Sequence, residues 1–170
     1  MKFLVDQPLA GLAKWLRFCG FDAQVVRLSA RRPGSLPPPQ PGVHILTRQA
    51  WPLAARRPDL LVLTADGLAG QFAEVVRRLN LDPQAMAPLS RCSRCNARLS
   101  PVAREEVMGL VPEHVFHAQR DFYQCPACRR LFWPGSHAAR ISQRLAGQLG
   151  AAGQGDNILR INRDELTEGS

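Results

Sequence analysis

The chain has 170 residues, 45% of them hydrophobic and 21% charged, a length and composition that support a buried core and exclude a wholly disordered chain. No run of 18 apolar residues occurs, which excludes a transmembrane helix, and the apolar start MKFLVDQPLAG is broken at Asp6, unlike a secretory signal, so a cytoplasmic protein is the expectation. The net charge is +8, and all but Lys2 and Lys14 of the 22 cations are arginine, which favours a polyanionic partner, most often nucleic acid, although a GC-rich coding bias would leave the same composition.

In chain order, Phe3-Leu4-Val5 reads as a strand ending at Asp6. Pro8 suits the first turn of a helix, and Leu9, Leu12, Ala13, Leu16 and Cys19 follow at helical spacing until Gly20. Phe21 to Val26 reads as a second strand. Residues 29–42, SARRPGSLPPPQPG, hold five prolines and two glycines, so they form a loop or stiff linker; a loop of that length inside a compact domain is uncommon. Val43 to Thr47 reads as a third strand, with a short helix near 49–57, and Leu60 to Thr64 as a fourth. Asp66 then precedes a helix whose apolar face is Leu68, Phe72, Val75, Val76 and Leu79. Strands alternating with helices predict an α/β fold with a parallel sheet.

The pattern changes at Pro88. Residues 1–88 are expected to form the α/β domain and residues 89–149 a cysteine-rich module with a closing helix from Ser136 to about Leu149. Residues 150–170 read as a disordered tail. Residues 1–91 carry 12 cations and 6 acids, residues 92–150 carry 8 and 4, and the last 20 carry 2 and 4; both expected folded parts are basic and the tail is not.

Four of the five cysteines form Cys92-x2-Cys95 and Cys125-x2-Cys128, separated by 29 residues. Two such turns facing each other make a tetrahedral thiolate site that suits structural Zn²⁺. The separation exceeds the tightest window for such pairs, which an inserted helix at Arg104 to Leu110 would explain. Disulfides do not fit a reducing compartment, whereas an Fe–S cluster shares the spacing. A closed site leaves His114, His117 and His137 outside the ligand set, and Cys19 reads as a small buried apolar residue. Around the pairs, Arg94, Arg98, Arg129 and Arg130 are candidate RNA-binding residues. Phe122, Tyr123, Phe132 and Trp133 are either a stacking surface or the small core of a metal-stapled module.

Ligands of open parallel sheets bind beyond the carboxyl ends of the strands. Asp6, Thr47-Arg48-Gln49 and Thr64-Ala65-Asp66 occupy that edge. Asp6 and Asp66 are candidate ligands for Mg²⁺ or Mn²⁺; both also stand where helix N-caps belong, and capping explains an aspartate there equally well.

Taken together, FLVD, LAGLAKWLRFCGFD, HILTRQ, SRCSRCNARLSPV, VPEHV and DFYQCPACRRLFWPGSH resemble the Mut-seven C-terminal RNase family over about residues 2–145. The resemblance implies a PIN-like α/β nuclease domain followed by a zinc ribbon, and a metal-dependent RNase (a hydrolase of phosphodiesters). It places Asp6 at the first acidic position and Lys14 and Arg17 at basic positions of the first helix, where they would hold phosphate, with Asp66 near a position often acidic. Two departures thin the acidic site. Gln49 stands where the family usually has aspartate, and the proline-rich segment replaces an acidic helix. The alternatives to an active endoribonuclease are a catalytically lapsed RNA-binding module and a zinc-ribbon adaptor for protein or DNA.

Overall fold

The computed structural model describes residues 1–82 and 86–135. The closing helix expected from Ser136 and the tail at 150–170 lie outside the described residues. The first sheet is parallel, built from β1 (Lys2–Asp6), β2 (Asp22–Val26), β3 (Val43–Thr47) and β4 (Leu60–Val62) in the order β2-β1-β3-β4. Asp6 pairs with Val26 at the last rung of β1 and β2, which sets the head of the β2 exit beside the end of β1. A 3-10 turn over Gln7–Leu9, with Pro8 in its first positions, leads into α1 (Ala10–Phe18). Gly20 follows at φ +90°, and a Cβ there would come within 2.4 Å of the Ala87 carbonyl. That close approach of two backbones admits glycine alone.

Helix α2 (Gly67–Leu79) ends at Asn80 in the left-handed conformation, φ 46°, and the Leu81 amide closes the turn onto the Val76 carbonyl at 3.0 Å. Its buried Glu74 accepts the Thr64 and Ala65 amides at 3.0 and 2.9 Å and fixes the β4–α2 loop. Helices α1 and α2 cover one face of the sheet, enclosing Phe3, Val5, Leu12, Leu16, Leu46 and Phe72. Among the described residues, the other face is closed without an α-helix. Leu28, Ile45, Trp51 and Leu60 form its buried cluster, and Ala30 and Leu36 of the proline-rich loop pack on it together with Ala54. The loop is therefore a lid over the sheet. Ser35 Oγ takes the Ser29 amide at 2.9 Å and folds the loop on itself; Arg57 donates to the Pro37 carbonyl at 3.0 Å and the Lys2 amide to the Gly42 carbonyl at 2.8 Å, so the lid is tied at its middle and its end. The short helix expected near 49–57 is only a 3-10 turn, Ala54–Arg56.

The second sheet is antiparallel, with β5 (Ser100–Val102), β6 (Phe122–Gln124) and β7 (Leu131–Phe132) in chain order. The helix expected at Arg104 to Leu110 is a 3-10 turn over Arg104–Val107; Gly109, at φ +74°, breaks it. The α-helix of this insertion is α3 (Glu113–Ala118). Val107, Val111 and Phe122 form the small buried core, with Val102, Val115, Phe116, Leu131 and Trp133 against it.

Candidate functional site

The two cysteine pairs sit on matching turns. In the first, the Asn96 amide donates to the Cys92 carbonyl at 2.9 Å and the Cys92 amide to Ala97 at 2.8 Å; in the second, Arg129 donates to Cys125 and Cys125 to Arg130, each at 2.9 Å. Each turn ends on a residue of positive φ, Asn96 at 68° and Arg129 at 60°. The Cys128 amide points at the Cys125 sulfur, 3.4 Å away. The four Sγ atoms lie within 4.8 Å of one another, with Cys92 to Cys128 at 3.6 Å and Cys95 to Cys125 at 3.3 Å. A tetrahedron of Zn–S bonds near 2.3 Å puts its sulfurs about 3.8 Å apart, so the cluster fits zinc. As thiols, Cys92 and Cys125 differ. Burial pushes Cys92 up to about 12. At Cys125 burial is outweighed by the Cys128 and Ala127 amides and the Cys95 and Cys128 thiols, and the value falls to about 7. Cys19 is buried in the main core, and desolvation raises it to about 12, as an inert apolar residue requires.

Arg17 was expected to hold phosphate; the structure assigns it elsewhere. It is 7% exposed, and its guanidinium donates to the Ala23 carbonyl at 2.7 Å, Ser93 at 3.1 Å and Arg94 at 2.8 Å. The last two belong to the first cysteine turn. Desolvation lowers its pKa, and the charges of Cys92, Cys95 and Asp22 partly offset this. The same junction holds Asn96, whose Oδ1 accepts the Ala23 amide at 3.2 Å and whose Nδ2 donates to Asp22 at 2.7 Å. Arg91 lies 3.5 Å from Asp22. Helix α1 and edge strand β2 are thus clamped onto the metal turn, and Lys14, exposed on α1, takes no part.

At the carboxyl edge of the parallel sheet, Asp6 is 2% exposed but makes no capping bond with its side chain. Its Oδ1 accepts the Leu28 amide at 3.2 Å; its Oδ2 accepts the Thr47 hydroxyl at 2.8 Å and the Gln49 amide at 2.7 Å. The orientation of the Gln49 amide is fixed by two further bonds, from Nε2 to the Leu28 carbonyl at 3.0 Å and from the Ala30 amide to Oε1 at 2.9 Å. Gln49 is therefore a latch between Asp6 and the start of the lid. A cleft of about 570 Å³ opens here, lined by Asp6, Gln7, Pro8, Arg27, Leu28 and Gln49. Arg27 escaped the sequence reading. Its Nε donates to Gln7 at 2.7 Å, and among the described residues its terminal nitrogens make no hydrogen bond.

Asp66 was expected to share this site, but it lies outside the cleft lining. It forms a surface pair with Arg48 at 2.9 Å, with 91% of its side chain exposed, and makes no capping bond either. In the second module, Phe122 is buried and belongs to the core. Arg94, Arg98, Arg129 and Arg130 are all exposed; Arg129 and Arg130 share a groove of about 460 Å³ with Phe132 and Trp133.

The family model described as the Mut7-C RNAse domain matches residues 1–145. No curated protein and no solved structure matches the chain.

Proposed function

The chain belongs to the Mut7-C RNAse domain family, and from that premise we propose that it is an RNA-directed, metal-dependent endoribonuclease of PIN-like type working from the Asp6 cleft. The observation that carries this reading is the carboxylate of Asp6, buried at the carboxyl edge of the sheet, free of capping duty and open to a cleft that also holds Arg27.

Mg²⁺ or Mn²⁺ binds through one or two carboxylates completed by water and phosphate oxygens, a donor set that Asp6 and an RNA phosphate make up between them. Bound there, such an ion supplies an activated water and neutralises charge at the phosphorus. The chain's own residues do the rest. Thr47 orients the Asp6 carboxylate. Arg27 holds a non-bridging phosphate oxygen with its free terminal nitrogens, and Gln7 fixes its plane.

A second reading, an RNA-binding module with lapsed catalysis, rests on one specific feature. The Gln49 amide occupies Asp6 Oδ2 and must release it before a cation can bind there. The separating experiment is incubation of purified protein with structured and unstructured RNAs, with and without Mn²⁺, beside Asp6→Asn. Mn²⁺-dependent cleavage lost in Asp6→Asn supports the nuclease. Cleavage by Asp6→Asn at the parent's rate removes Asp6 from the mechanism, and RNA binding without cleavage in either protein favours the lapsed reading.

A further inference from the structure

We propose that the groove between the second cysteine turn and the end of β7 is a subsite for an unpaired RNA base, stacked on the aromatic pair Phe132 and Trp133, with the flanking phosphates on Arg129 and Arg130. The proposal rests on the RNA-directed reading and adds the form of RNA it takes, single-stranded rather than duplex.

Three observations converge on it. Phe132, Trp133 and Leu110 line the groove with both arginines and Gln124, so apolar faces and cations share one concave surface. Phe132 and Trp133 are only partly buried, unlike Phe122 at 1%, and Leu110 at the rim is 67% exposed. The chain also turns closely along the edge of the indole: a Cβ on Gly135 would come within 2.9 Å of Trp133 Nε1 and 3.0 Å of its Cδ1, so a larger residue there would push on the ring.

Several other arginines are already engaged within the protein. Arg17, Arg27, Arg48, Arg57, Arg78, Arg91 and Arg104 all bind partners within the protein. Among the described residues no hydrogen bond or ion pair engages the guanidinium of Arg129 or Arg130. Both extend from the turn that carries Cys125 and Cys128, and Arg129 is held at φ 60°, so the metal turn sets where their side chains start. Every base has a π-face, and stacking on an aromatic platform is tolerant of sequence. A duplex hides those faces and its bases cannot enter. An acidic peptide would satisfy the arginines and leave the aromatic faces unused, which is why the groove fits nucleic acid better.

The test measures binding of fluorescent RNA by anisotropy in Mn²⁺-free buffer with zinc retained, so that cleavage does not enter the readout. Four probes are compared at one salt concentration: a single strand, its duplex, the single strand with one central abasic residue, and an acidic peptide. The single strand is expected to bind tightest. Loss of the stacked base, by the abasic residue or by Trp133→Leu, is expected to weaken it about 5- to 150-fold, the range that one base–aromatic stack spans. Arg130→Gln should flatten the salt dependence by about one phosphate contact. Trp133 also touches the small core, so Trp133→Leu is checked for zinc content and melting; the abasic probe needs no change to the protein. Equal binding of single strand, duplex and abasic strand overturns the stacking site. Tighter binding of the acidic peptide assigns the groove to a protein partner instead. A protein that cleaves RNA but shows no single-strand preference loses this subsite and keeps its nuclease reading.

Discussion

Replacing Arg17 by Met tests the junction between the parallel sheet and the cysteine turns. Methionine keeps much of the length and apolar bulk but donates nothing. Three carbonyls, of Ala23, Ser93 and Arg94, then lose their donor. At about 1 kcal/mol for each hydrogen bond the loss is about 3 kcal/mol, which for a chain of this size is a drop of about 6–12 °C in melting temperature. Arg17 is 7% exposed, so solvent does not replace the lost bonds in the folded state. Two of the three acceptors lie on the first cysteine turn, so the variant should also surrender zinc faster to a colorimetric chelator. Arg17→Lys should recover little, because one ammonium cannot span a strand carbonyl and two loop carbonyls. The assay is a thermal melt in zinc-containing buffer beside a chelator time course. An unchanged melt together with unchanged zinc loss would refute the clamp. A lowered melt with normal zinc loss would confine Arg17 to the Ala23 bond.

Metal removal should do more than melt the second module: with Cys125→Ser or after chelation, amide exchange should accelerate in β2 (Asp22–Val26), the strand tied to Asn96, while β3 stays protected. Gln49→Asp should lower stability in buffer without Mn²⁺, because two carboxylates then face each other, and Mn²⁺ should restore it by mass action; a melt indifferent to Mn²⁺ counts against a cation site at Asp6. RNA affinity should fall steeply between 50 and 200 mM salt, and Arg94→Glu with Arg98→Glu should weaken all sequences alike. Acid should destabilise the fold through two carboxylates. Burial raises Glu74, but the Ala65 and Thr64 amides and Arg78 outweigh it and hold it below the ordinary 4.5; the Arg57 hydrogen bond holds Asp59 below 3.8. Depressed values give stability that is present above the unfolded-state pKa and lost as pH falls through the folded one, so Glu74→Gln should flatten the acid limb of the melting curve below pH 4.5.

Much of this architecture is legible in the residue pattern. The apolar run Val43 to Thr47 coincides with β3 because a strand between two neighbours must be apolar on both faces. The two Cys-x2-Cys pairs mark the metal turns because the turn geometry is local. Other features depend on pairings between distant residues. Arg27 reaches the Asp6 cleft only through the β1–β2 register, Asp6 opposite Val26, and no local signal announces it. Arg17 was readable in principle. It lies four residues after Ala13, on the face of α1 that meets the core, and a cation at a core position requires a partner. Helix α3 has few apolar residues to set a period, and only Val115 and Phe116 reach the core. The lid was visible as a break in secondary structure but not as a cover, because Ala30 and Leu36, which pack on the buried cluster of that face, show no periodic apolar pattern.

The central place of β1 has a consequence for how the chain is made. Strand β1, the earliest of this sheet in chain order, lies between β2 and β3, and its partner across Phe3 is His44, about forty residues later. During synthesis β1 can meet β2 early but must wait for the whole proline-rich segment before its other side is satisfied. Non-local parallel pairing of this kind is slow, and until it forms the side of β1 that carries the Asp6 latch is unprotected. Deleting Lys2–Asp6 would likewise remove the middle of the sheet rather than a margin. Strand β2 would lose its strand partner, and the clamp would hold the metal turns to an unsupported edge.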